Sequence, residues 1–342
     1  MRKAVVLITG ANGEIGHGLI THLAKQSDVN ILALDVQPLD ESLRPLVMQF
    51  IQGDILDTML LGRMVVEYEI RTIFHLASIL STKAEYAPEA AHRINVEGTL
   101  NLLRLAVEQS AWQGKSVKFI YPSSIAAYGL PSLAVKNATG KVKESDWCNP
   151  TTMYGCNKLY CEHLGRYYTS YYRQLAADHD KTTVDFRALR FPGLISAVTV
   201  PTGGTSDYGP EMLHHAAQGI PYRCFVRPDT RLPFMVMPDA VKALLMLEAA
   251  PREALSQLTY NVTSFSPTAQ EIYEIVRCAF PDSVVEFAPH LSRQAIVDTW
   301  PADIDDSAAQ RDWGWKPDYN QKRAFEEYLI PAIRQRYSSE KV

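Results

Sequence analysis

The sequence of 342 residues predicts an α/β protein built on a doubly wound parallel sheet, with a smaller C-terminal α/β lobe. Three observations support this prediction. Short β-prone apolar runs recur along the first half of the chain, each long enough for one strand buried on both faces. Helical patterns alternate with these runs. The first run also ends in a glycine-rich turn that leads directly into a helix.

Composition limits the partners that fit this chain. Hydrophobic residues make up 46% and charged residues 21%, with a formal net charge of −4, so neither nucleic acid nor an anionic membrane is expected to bind. The five cysteines show no Cys-x-x-Cys pair and no zinc-like spacing, so we expect no disulfide framework and no metal. No apolar run reaches membrane-spanning length and the first is too short for a signal peptide, which favours a cytoplasmic protein with a small-molecule partner.

The glycine-rich turn follows the first predicted strand, Ala4 to Ile8. Such a turn between a buried strand and a helix N-terminus lets backbone amides approach a pyrophosphate closely. A plain βα turn with dispensable glycines is the alternative. The residues that we assign to dinucleotide binding in this turn are Gly10, Asn12, Gly13, Glu14, Ile15 and Gly16.

The ends of the next two predicted strands carry acidic residues. Asp35 ends the second strand, nineteen residues beyond Gly16. A carboxylate at that place accepts hydrogen bonds from ribose hydroxyls and repels a 2′-phosphate, which favours NAD over NADP. Asp54 and Ile55 follow the third strand, and we place them beside the adenine. A turn residue or helix cap is the alternative for Asp54.

The fourth predicted strand, 72–78, ends in small residues, and we assign Leu76 and Ala77 to cofactor contact. His75 within it is interpreted as a packed or hydrogen-bonded strand residue. The amphipathic pattern that follows contains Asn95. Asparagine is unfavourable inside a helix, which indicates a specific hydrogen bond and a place in the cofactor site. Surface placement is the alternative.

The fifth predicted strand, 117–121, leads to Ser124, and the next helix carries Tyr154 and Lys158. Residues four apart lie on the same helix face, so this tyrosine and lysine are neighbours. By spacing alone, a surface tyrosine beside a solvated lysine is the alternative. In a parallel α/β sheet Ser124 and Tyr154 both lie at the carboxyl ends of the strands, where they can meet.

These three side chains predict alcohol oxidation. A phenol has an ordinary pKa near 10, but a nearby ammonium and a positively charged nicotinamide favour the phenolate. Tyr154 would take the proton of a substrate alcohol while hydride leaves the same carbon for the nicotinamide. Lys158 would supply the positive charge, and Ser124 would orient the alcohol oxygen.

The glycine turn, Asp35, Ser124 and the Tyr154/Lys158 pair occur in an order that resembles the extended short-chain dehydrogenase/reductase superfamily, whose sheet is of the Rossmann type. The rest of the chain resembles one family within it, the short-chain L-threonine 3-dehydrogenases, which are similar in fold to UDP-galactose 4-epimerases. The segments that carry this likeness are 189–196 (Leu-Arg-Phe-Pro-Gly-Leu-Ile-Ser), 203–208 (Gly-Gly-Thr-Ser-Asp-Tyr), 229–233 (Asp-Thr-Arg-Leu-Pro), 260–263 (Tyr-Asn-Val-Thr), 298–301 (Asp-Thr-Trp-Pro) and 312–316 (Asp-Trp-Gly-Trp-Lys).

The resemblance implies NAD-dependent oxidation of the side-chain hydroxyl of L-threonine to 2-amino-3-oxobutyrate. It implies that Ser124, Tyr154 and Lys158 are catalytic and that Tyr154, Lys158 and Pro192 also contact NAD. The loop 201–208 is rich in amides and hydroxyls, which suit a small zwitterion, although an ordinary solvated loop is the alternative. The substrate contacts implied are Ser81, Ser124, Tyr154, Thr202, Gly203, Thr205 and Trp300. Arg190 and Arg231 are interpreted instead as members of structural ion pairs.

The predicted organisation is an NAD-binding domain over 1–183 and a mainly substrate-binding lobe over 184–342, with the sixth strand, 184–193, returning to the sheet. The segments 130–149 and 174–183 are polar and are predicted to be surface loops. In the superfamily, the helices that match those of Asn95 and Tyr154 commonly form a dimer seam, so we expect a homodimer.

Two other functions fit parts of the sequence. A nucleotide-sugar 4-epimerase or related sugar-modifying enzyme would use the same scaffold with tightly bound NAD, and release of NADH would separate it from a dehydrogenase. A cofactor-binding protein without catalysis would usually lack the Tyr154/Lys158 pair, so its presence argues against that class. The sequence leaves open the kinetic constants, the strictness for threonine and the fate of the product.

Overall fold

A computed structural model describes residues 2–176, 184–201 and 203–339. The strands are β1 (Lys3–Thr9), β2 (Ile31–Asp35), β3 (Gln49–Gln52), β4 (Tyr68–His75), β5 (Val117–Ser124), β6 (Val184–Phe191), β7 (Gly193–Ile195), β8 (Tyr222–Cys224), β9 (Phe234–Val236), β10 (Thr259–Asn261) and β11 (Val285–Phe287). The α-helices are α1 (Glu14–Leu23), α2 (Thr58–Glu67), α3 (Ser81–Tyr86), α4 (Pro88–His92), α5 (Gly98–Gln113), α6 (Leu133–Ala138), α7 (Met153–Ser170), α8 (Tyr208–Gln218), α9 (Met237–Ala249), α10 (Ala269–Ala279), α11 (Leu291–Asp298), α12 (Ser307–Trp313), α13 (Gln321–Arg323) and α14 (Ile330–Ser339).

The main sheet has seven strands in the order β10-β6-β5-β4-β1-β2-β3. The pairs β1 with β2, β1 with β4, β2 with β3 and β4 with β5 are parallel. The chain runs outward from β1 to β3 and then returns to β4 on the other side of β1, which is the doubly wound arrangement predicted. The predicted fold class is therefore observed.

The central strand β1 explains why the sheet forms where it does. Leu7 and Ile8 are fully buried, and Leu7 lies in register with Leu32 of β2 and Ile73 of β4. A strand with neighbours on both edges and helices on both faces needs a continuous apolar run, which the sequence provides here. The predicted sixth strand is shorter than expected, because Pro192 lacks an N–H group to donate and separates β6 from β7.

The loops after β1 and β4 approach each other closely. Leu76 N donates to Thr9 O at 3.0 Å, and Gly10 has φ of +67°. An alanine Cβ at Gly10 would lie only 2.5 Å from the backbone nitrogen of Ala77. Since β1 and β4 flank the point where the strand order reverses, this contact lies where an open α/β sheet binds its ligands.

The chain divides into two compact units that interleave along the sequence. The first contains 1–124, 153–190 and 241–260, and the second contains 125–152, 191–240 and 261–342. The second unit holds two small parallel sheets, β7 with β9 and β8 with β11. The domain division predicted at residue 184 stays a prediction.

The prediction that 130–149 is a surface loop is wrong for much of this segment. It contains α6, and the Lys136 side chain is 2% exposed and donates to Val297 O at 2.9 Å. Val142 is also fully buried and pairs with Ile304. Its partners lie more than 150 residues away, which local polarity could not indicate. In the other predicted loop, 177–183 lies outside the described residues.

Within the described ranges, no helix is long and apolar enough to cross a membrane, and no group of three or more His, Cys, Asp or Glu side chains could hold a metal ion. The five cysteines are free thiols.

The close approach at Gly10 gives a stability prediction. Gly10→Ala forces a side chain into the left-handed region and against the Ala77 backbone, so we expect the unfolding free energy to fall by about 2 kcal/mol or more. Gly62→Ala is the matched control, because Gly62 is an exposed residue inside α2 with no atom near its Cβ position. Helix propensity predicts that it raises stability by up to about 1 kcal/mol.

Denaturant unfolding of both variants and the unchanged protein measures these differences. Equal stability of Gly10→Ala and Gly62→Ala would show that the loop after β1 adjusts freely, contrary to this account of the sheet.

Candidate active site

The three predicted catalytic side chains meet at the carboxyl end of β5. Ser124 is the last residue of this strand, and α7 begins at Met153. The Ser124 and Tyr154 side chains are hydrogen bonded. The Lys158 ammonium lies 5.4 Å from the centroid of the Tyr154 ring, one helical turn further along α7.

Lys158 is a buried cation, with 4% of its surface exposed. Its Nζ donates to Pro122 O at 2.7 Å and lies 4.6 Å from the centroid of the Tyr121 ring. Burial lowers the pKa of Lys158 to about 8, while Cys161 and Glu162 act in the opposite direction. The ammonium is therefore retained at neutral pH, although less firmly than in water.

The electrostatics of Tyr154 differ from the expectation that its surroundings favour the phenolate. Burial raises the pKa of Tyr154 above its ordinary value, and the hydrogen bond to Ser124 lowers it by less. The reason is desolvation, which disfavours the charged form of any buried phenol. The proton of Tyr154 is therefore held more strongly in this protein than in water.

The glycine turn is built from positions where a side chain has no room. Besides Gly10, a Cβ at Gly16 would overlap the backbone of Ala11. Helix α1 begins at Glu14, and its N-cap, Gly13, offers no side-chain hydrogen bond to the first turn. Backbone amides at such a helix start are suited to an anionic group such as a pyrophosphate.

A buried hydrogen-bond chain connects the loops around this turn. Thr99 Oγ1 donates to Asn95 O at 2.5 Å, so it accepts from His75 Nε2 at 2.9 Å. Burial lowers the pKa of His75 to about 3, so the ring is neutral and its Nδ1 accepts from Thr9 Oγ1 at 2.8 Å. Ala77 N donates to Thr9 Oγ1 at 3.4 Å. The interpretation of His75 as a hydrogen-bonded strand residue is confirmed.

Asn95 is buried and bonds the loop after β4 through its side chain. Its Oδ1 accepts from Ile79 N at 2.7 Å, and its Nδ2 donates to Ile79 O at 3.0 Å. It lies in a π-helical turn, Arg93–Glu97, which interrupts the single helix predicted here. Such turns often accompany functional sites. The specific hydrogen bond expected of Asn95 is present, and its contact with a cofactor stays a prediction.

The predicted substrate residues fall into both units. Ser81, Ser124 and Tyr154 belong to the first unit, and Ser81 is the buried first residue of α3. In the second unit Trp300 is 4% exposed, and its indole nitrogen has no hydrogen-bond partner within the described ranges. Pro192 is buried in the second unit, and Thr202 lies outside the described residues.

The loop before α8 uses two of its amides internally. Gly203 N and Gly204 N donate to Asp207 Oδ2 at 3.0 Å and 2.5 Å. Arg293 Nη2 donates to Gly204 O at 2.7 Å, and Thr205 is buried. Two of the amides in this loop therefore form hydrogen bonds within the loop itself. Substrate contact by Gly203 and Thr205 stays a prediction.

The two arginines interpreted as structural do form ion pairs. Arg190 Nη2 lies 2.6 Å from Glu162 Oε2, with both side chains buried. Arg231 Nη2 lies 3.3 Å from Glu271 Oε1. Both interpretations are confirmed. Sequence reasoning missed Glu162, Thr9 and Thr99, because each acts through a partner that is distant in the chain.

Comparison with known proteins places the chain. A family model described as the NAD dependent epimerase/dehydratase family matches residues 6–263. The mitochondrial L-threonine 3-dehydrogenase of Bos taurus is 37% identical over 318 residues, which cover 92% of this chain and 79% of that protein. The chain belongs to the NAD-dependent epimerase/dehydratase family.

Solved structures give the same result. An apo L-threonine 3-dehydrogenase of metagenomic origin, described as monomeric, has a TM-score of 0.83 at 34% identity and covers 97% of this chain and 99% of its own. An L-threonine dehydrogenase from Cupriavidus necator, in its holo form, has a TM-score of 0.83 at 34% identity with the same coverage. The chain is thus an L-threonine 3-dehydrogenase-like member of the family, and the predicted resemblance is confirmed.

The cofactor of this family is NAD, and Asp35 has the surroundings that suit it. Its Oδ2 accepts from Asn12 N and its Oδ1 from Gln37 N, both at 2.9 Å. Each oxygen keeps a further lone pair, so the carboxylate can still accept from ribose hydroxyls. Asn12 Oδ1 accepts from Asp40 N at 2.9 Å, so the Asn12 side chain connects two loops. Together with the glycine turn, these residues fit NAD.

Asp54 and Ile55 lie after β3 with local roles. Asp54 is exposed, and its Oδ1 accepts from Leu56 N at 2.9 Å, which is the turn role that the sequence left as an alternative. Ile55 is buried, and its side chain occupies the space that a Cβ at Gly98 would need. Contact of either residue with the adenine stays a prediction.

The position of Asp35 in this NAD-binding family predicts cofactor choice. Asp35→Asn removes the charge that repels a 2′-phosphate, so the ratio of NADP to NAD affinity should rise by about tenfold. Asp40→Asn is the control, because Asp40 is an exposed carboxylate in the loop after β2 whose side chain bonds only Ser42 among the described contacts. It should leave the ratio within about twofold. Binding titrations with both nucleotides test this, and an unmoved ratio in Asp35→Asn would refute it.

Proposed function

We propose that this protein is an NAD-dependent L-threonine 3-dehydrogenase. The observation that carries the proposal is the grouping of Ser124, Tyr154 and Lys158 at the carboxyl end of β5, in a sheet whose glycine turn fits NAD. The relatives named above are L-threonine dehydrogenases and cover nearly the whole of this chain.

The residues divide the chemistry in a simple way. NAD, when bound, accepts the hydride from the carbon that bears the threonine hydroxyl. Tyr154 accepts the proton of that hydroxyl, and Ser124 donates or accepts a hydrogen bond that holds the oxygen in place. Because burial raises the pKa of Tyr154, the reaction needs a nearby positive charge, and Lys158 supplies it from within the same helix.

The remaining predicted contacts complete the proposal. The amino and carboxylate groups of the substrate would be bound by Ser81, Thr202, Gly203, Thr205 and Trp300. The indole nitrogen of Trp300 is buried and has no hydrogen-bond partner among the described residues, which supports a ligand contact, because a buried donor without a partner is unfavourable. Pro192 and Asn95 would contact NAD.

We further propose a cytoplasmic homodimer that uses α5 and α7. Support comes from α7, where Tyr160 is 51% and Tyr167 is 41% exposed, since exposed aromatic side chains are enriched in interfaces. Light scattering of the purified protein should give twice the mass of the chain, and Tyr160→Lys/Tyr167→Glu should reduce it to one chain. A single-chain mass for the unchanged protein, as described for one relative, would refute the dimer.

The decisive assay for the activity measures the NADH absorbance that forms when the protein is mixed with NAD and L-threonine. We expect threonine-dependent NADH, with L-serine and UDP-glucose as comparison substrates. Tyr154→Phe should lower turnover by about 10²-fold or more, because it removes the proton acceptor, while NAD affinity stays within about threefold.

Tyr171→Phe is the matched control, since it makes the same change directly after the same helix at an exposed position. It should keep full turnover. If a protein that carries bound NAD formed no NADH from L-threonine, the nucleotide-sugar epimerase would be supported instead. Full activity of Tyr154→Phe would contradict the role of Tyr154 as proton acceptor.

A further inference from the structure

A buried ion pair includes Glu162, which lies one helical turn after Lys158 on α7. Arg190 of β6 donates from Nε to Glu162 Oε1 at 2.9 Å and from Nη2 to Glu162 Oε2 at 2.6 Å. The exposed fractions of the two side chains are 4% and 6%. Ser123 Oγ also donates to Glu162 Oε1, at 2.5 Å. Oε1 therefore has one charged and one neutral donor and Oε2 has one charged donor, so both oxygens of this buried carboxylate are satisfied.

This pair is connected to the catalytic residues on two sides. Glu162 follows Lys158 by four residues and Tyr154 by eight, so the three share one face of α7. Ser123 lies directly before Ser124, and Lys158 Nζ donates to Pro122 O at 2.7 Å. The end of β5 is thus bonded to α7 through Lys158 and through Glu162, in addition to the hydrogen bond between Ser124 and Tyr154.

Stability alone is a poor explanation for such a pair. Two buried charges lose their hydration, and replacing a buried ion pair by apolar residues of similar volume is often neutral or stabilising. A negative charge one turn from a buried ammonium has a separate effect, because it favours the charged form of that ammonium.

We propose that Glu162 and Arg190 are positioning residues for the reaction, which hold Ser124 against α7 through Ser123 and keep Lys158 cationic beside Tyr154. Arg190 holds the side chain of Glu162 in place through two hydrogen bonds, and Glu162 acts on Lys158. The inference rests on the proposed function in so far as Tyr154 is the proton acceptor.

The groups around Lys158 agree with this assignment. His75 of β4 is neutral, Tyr121 of β5 keeps its proton because burial raises its pKa, and burial also raises the pKa of Cys161. Tyr154 and Glu162 are the others on α7, and Arg190 lies beyond Glu162 on β6. Burial has lowered the pKa of Lys158, whereas Cys161 and Glu162 raise it, and of these two Glu162 is the one paired with Arg190.

The test replaces both members of the pair, because Glu162→Gln alone would leave Arg190 buried without its partner. In Glu162→Met/Arg190→Met we expect kcat for L-threonine oxidation to fall about tenfold or more. The alkaline limb of its pH profile should lie about one pH unit lower than in the unchanged protein, because Lys158 then loses its proton more readily. A merely structural pair would not move this limb.

A second readout needs neither substrate nor NAD. The folded pKa of Lys158, about 8, lies below the value of 10.5 for an unperturbed lysine. The unfolded chain therefore binds more protons, and the contribution of Lys158 to stability rises between about pH 8 and 10.5. Subtracting the curve of Lys158→Met isolates this rise, which should begin about one pH unit lower when Glu162 and Arg190 are both methionine.

Lys118→Met/Glu248→Met is the matched control. These residues form an ion pair of 2.9 Å at the start of β5, at the opposite end from Ser124. The control removes the same two charges and should leave both the pH limb and the stability rise unmoved.

The outcomes separate the inference from the proposed function. A folded Glu162→Met/Arg190→Met protein with unchanged kcat, pH limb and stability rise would overturn the inference. If the unchanged protein makes no NADH from L-threonine, the proposed function fails, and the stability readout still decides whether Glu162 acts on Lys158. Should the double variant not fold, Ser123→Ala is the alternative, because it keeps both charges of the ion pair. A roughly tenfold lower kcat with an unmoved alkaline limb of the pH profile would support the positioning role. An unchanged kcat would overturn that role.

Discussion

The chemistry proposed for this protein depends on keeping one lysine, Lys158, charged inside the fold. Lys158 is almost without solvent, so each favourable contact with water has to be replaced by a protein group. Pro122 O, the face of Tyr121 and the carboxylate of Glu162 serve this purpose. The end of β5 and the first turns of α7 therefore supply the groups that stabilise the ammonium of Lys158.

Sequence reasoning succeeded where the signal is local. The apolar run of β1 and the glycines after it predicted a strand, a turn and a helix, because neighbouring residues determine them. Helix α10 begins at Ala269. A capping box between Thr268 and Glu271 fixes its start, and this too is a local pattern. The order of such elements was enough to predict the doubly wound sheet.

Prediction failed where the deciding partner is far away in the chain. Lys136 lies in a polar segment, where a solvated lysine is expected, yet it is buried and donates a hydrogen bond to Val297 O. Glu162 and Arg190 are 28 residues apart, and nothing near either one indicates the other. His75 was interpreted correctly, but its partners Thr9 and Thr99 come from different elements. Site geometry is therefore less predictable than site composition.

Burial at this site has two opposed effects that the arrangement has to reconcile. Excluding water strengthens each hydrogen bond and charge interaction, which favours an ordered reaction. The same exclusion raises the pKa of Tyr154 and lowers that of Lys158, so both groups are pushed towards their neutral forms. A neighbouring phenolate and ammonium can counteract these pKa shifts only if both are charged, because each charge stabilises the other. In the proposed reaction Tyr154 and Lys158 therefore act as a unit, and the groups that hold Lys158 contribute to the chemistry as well as to the fold.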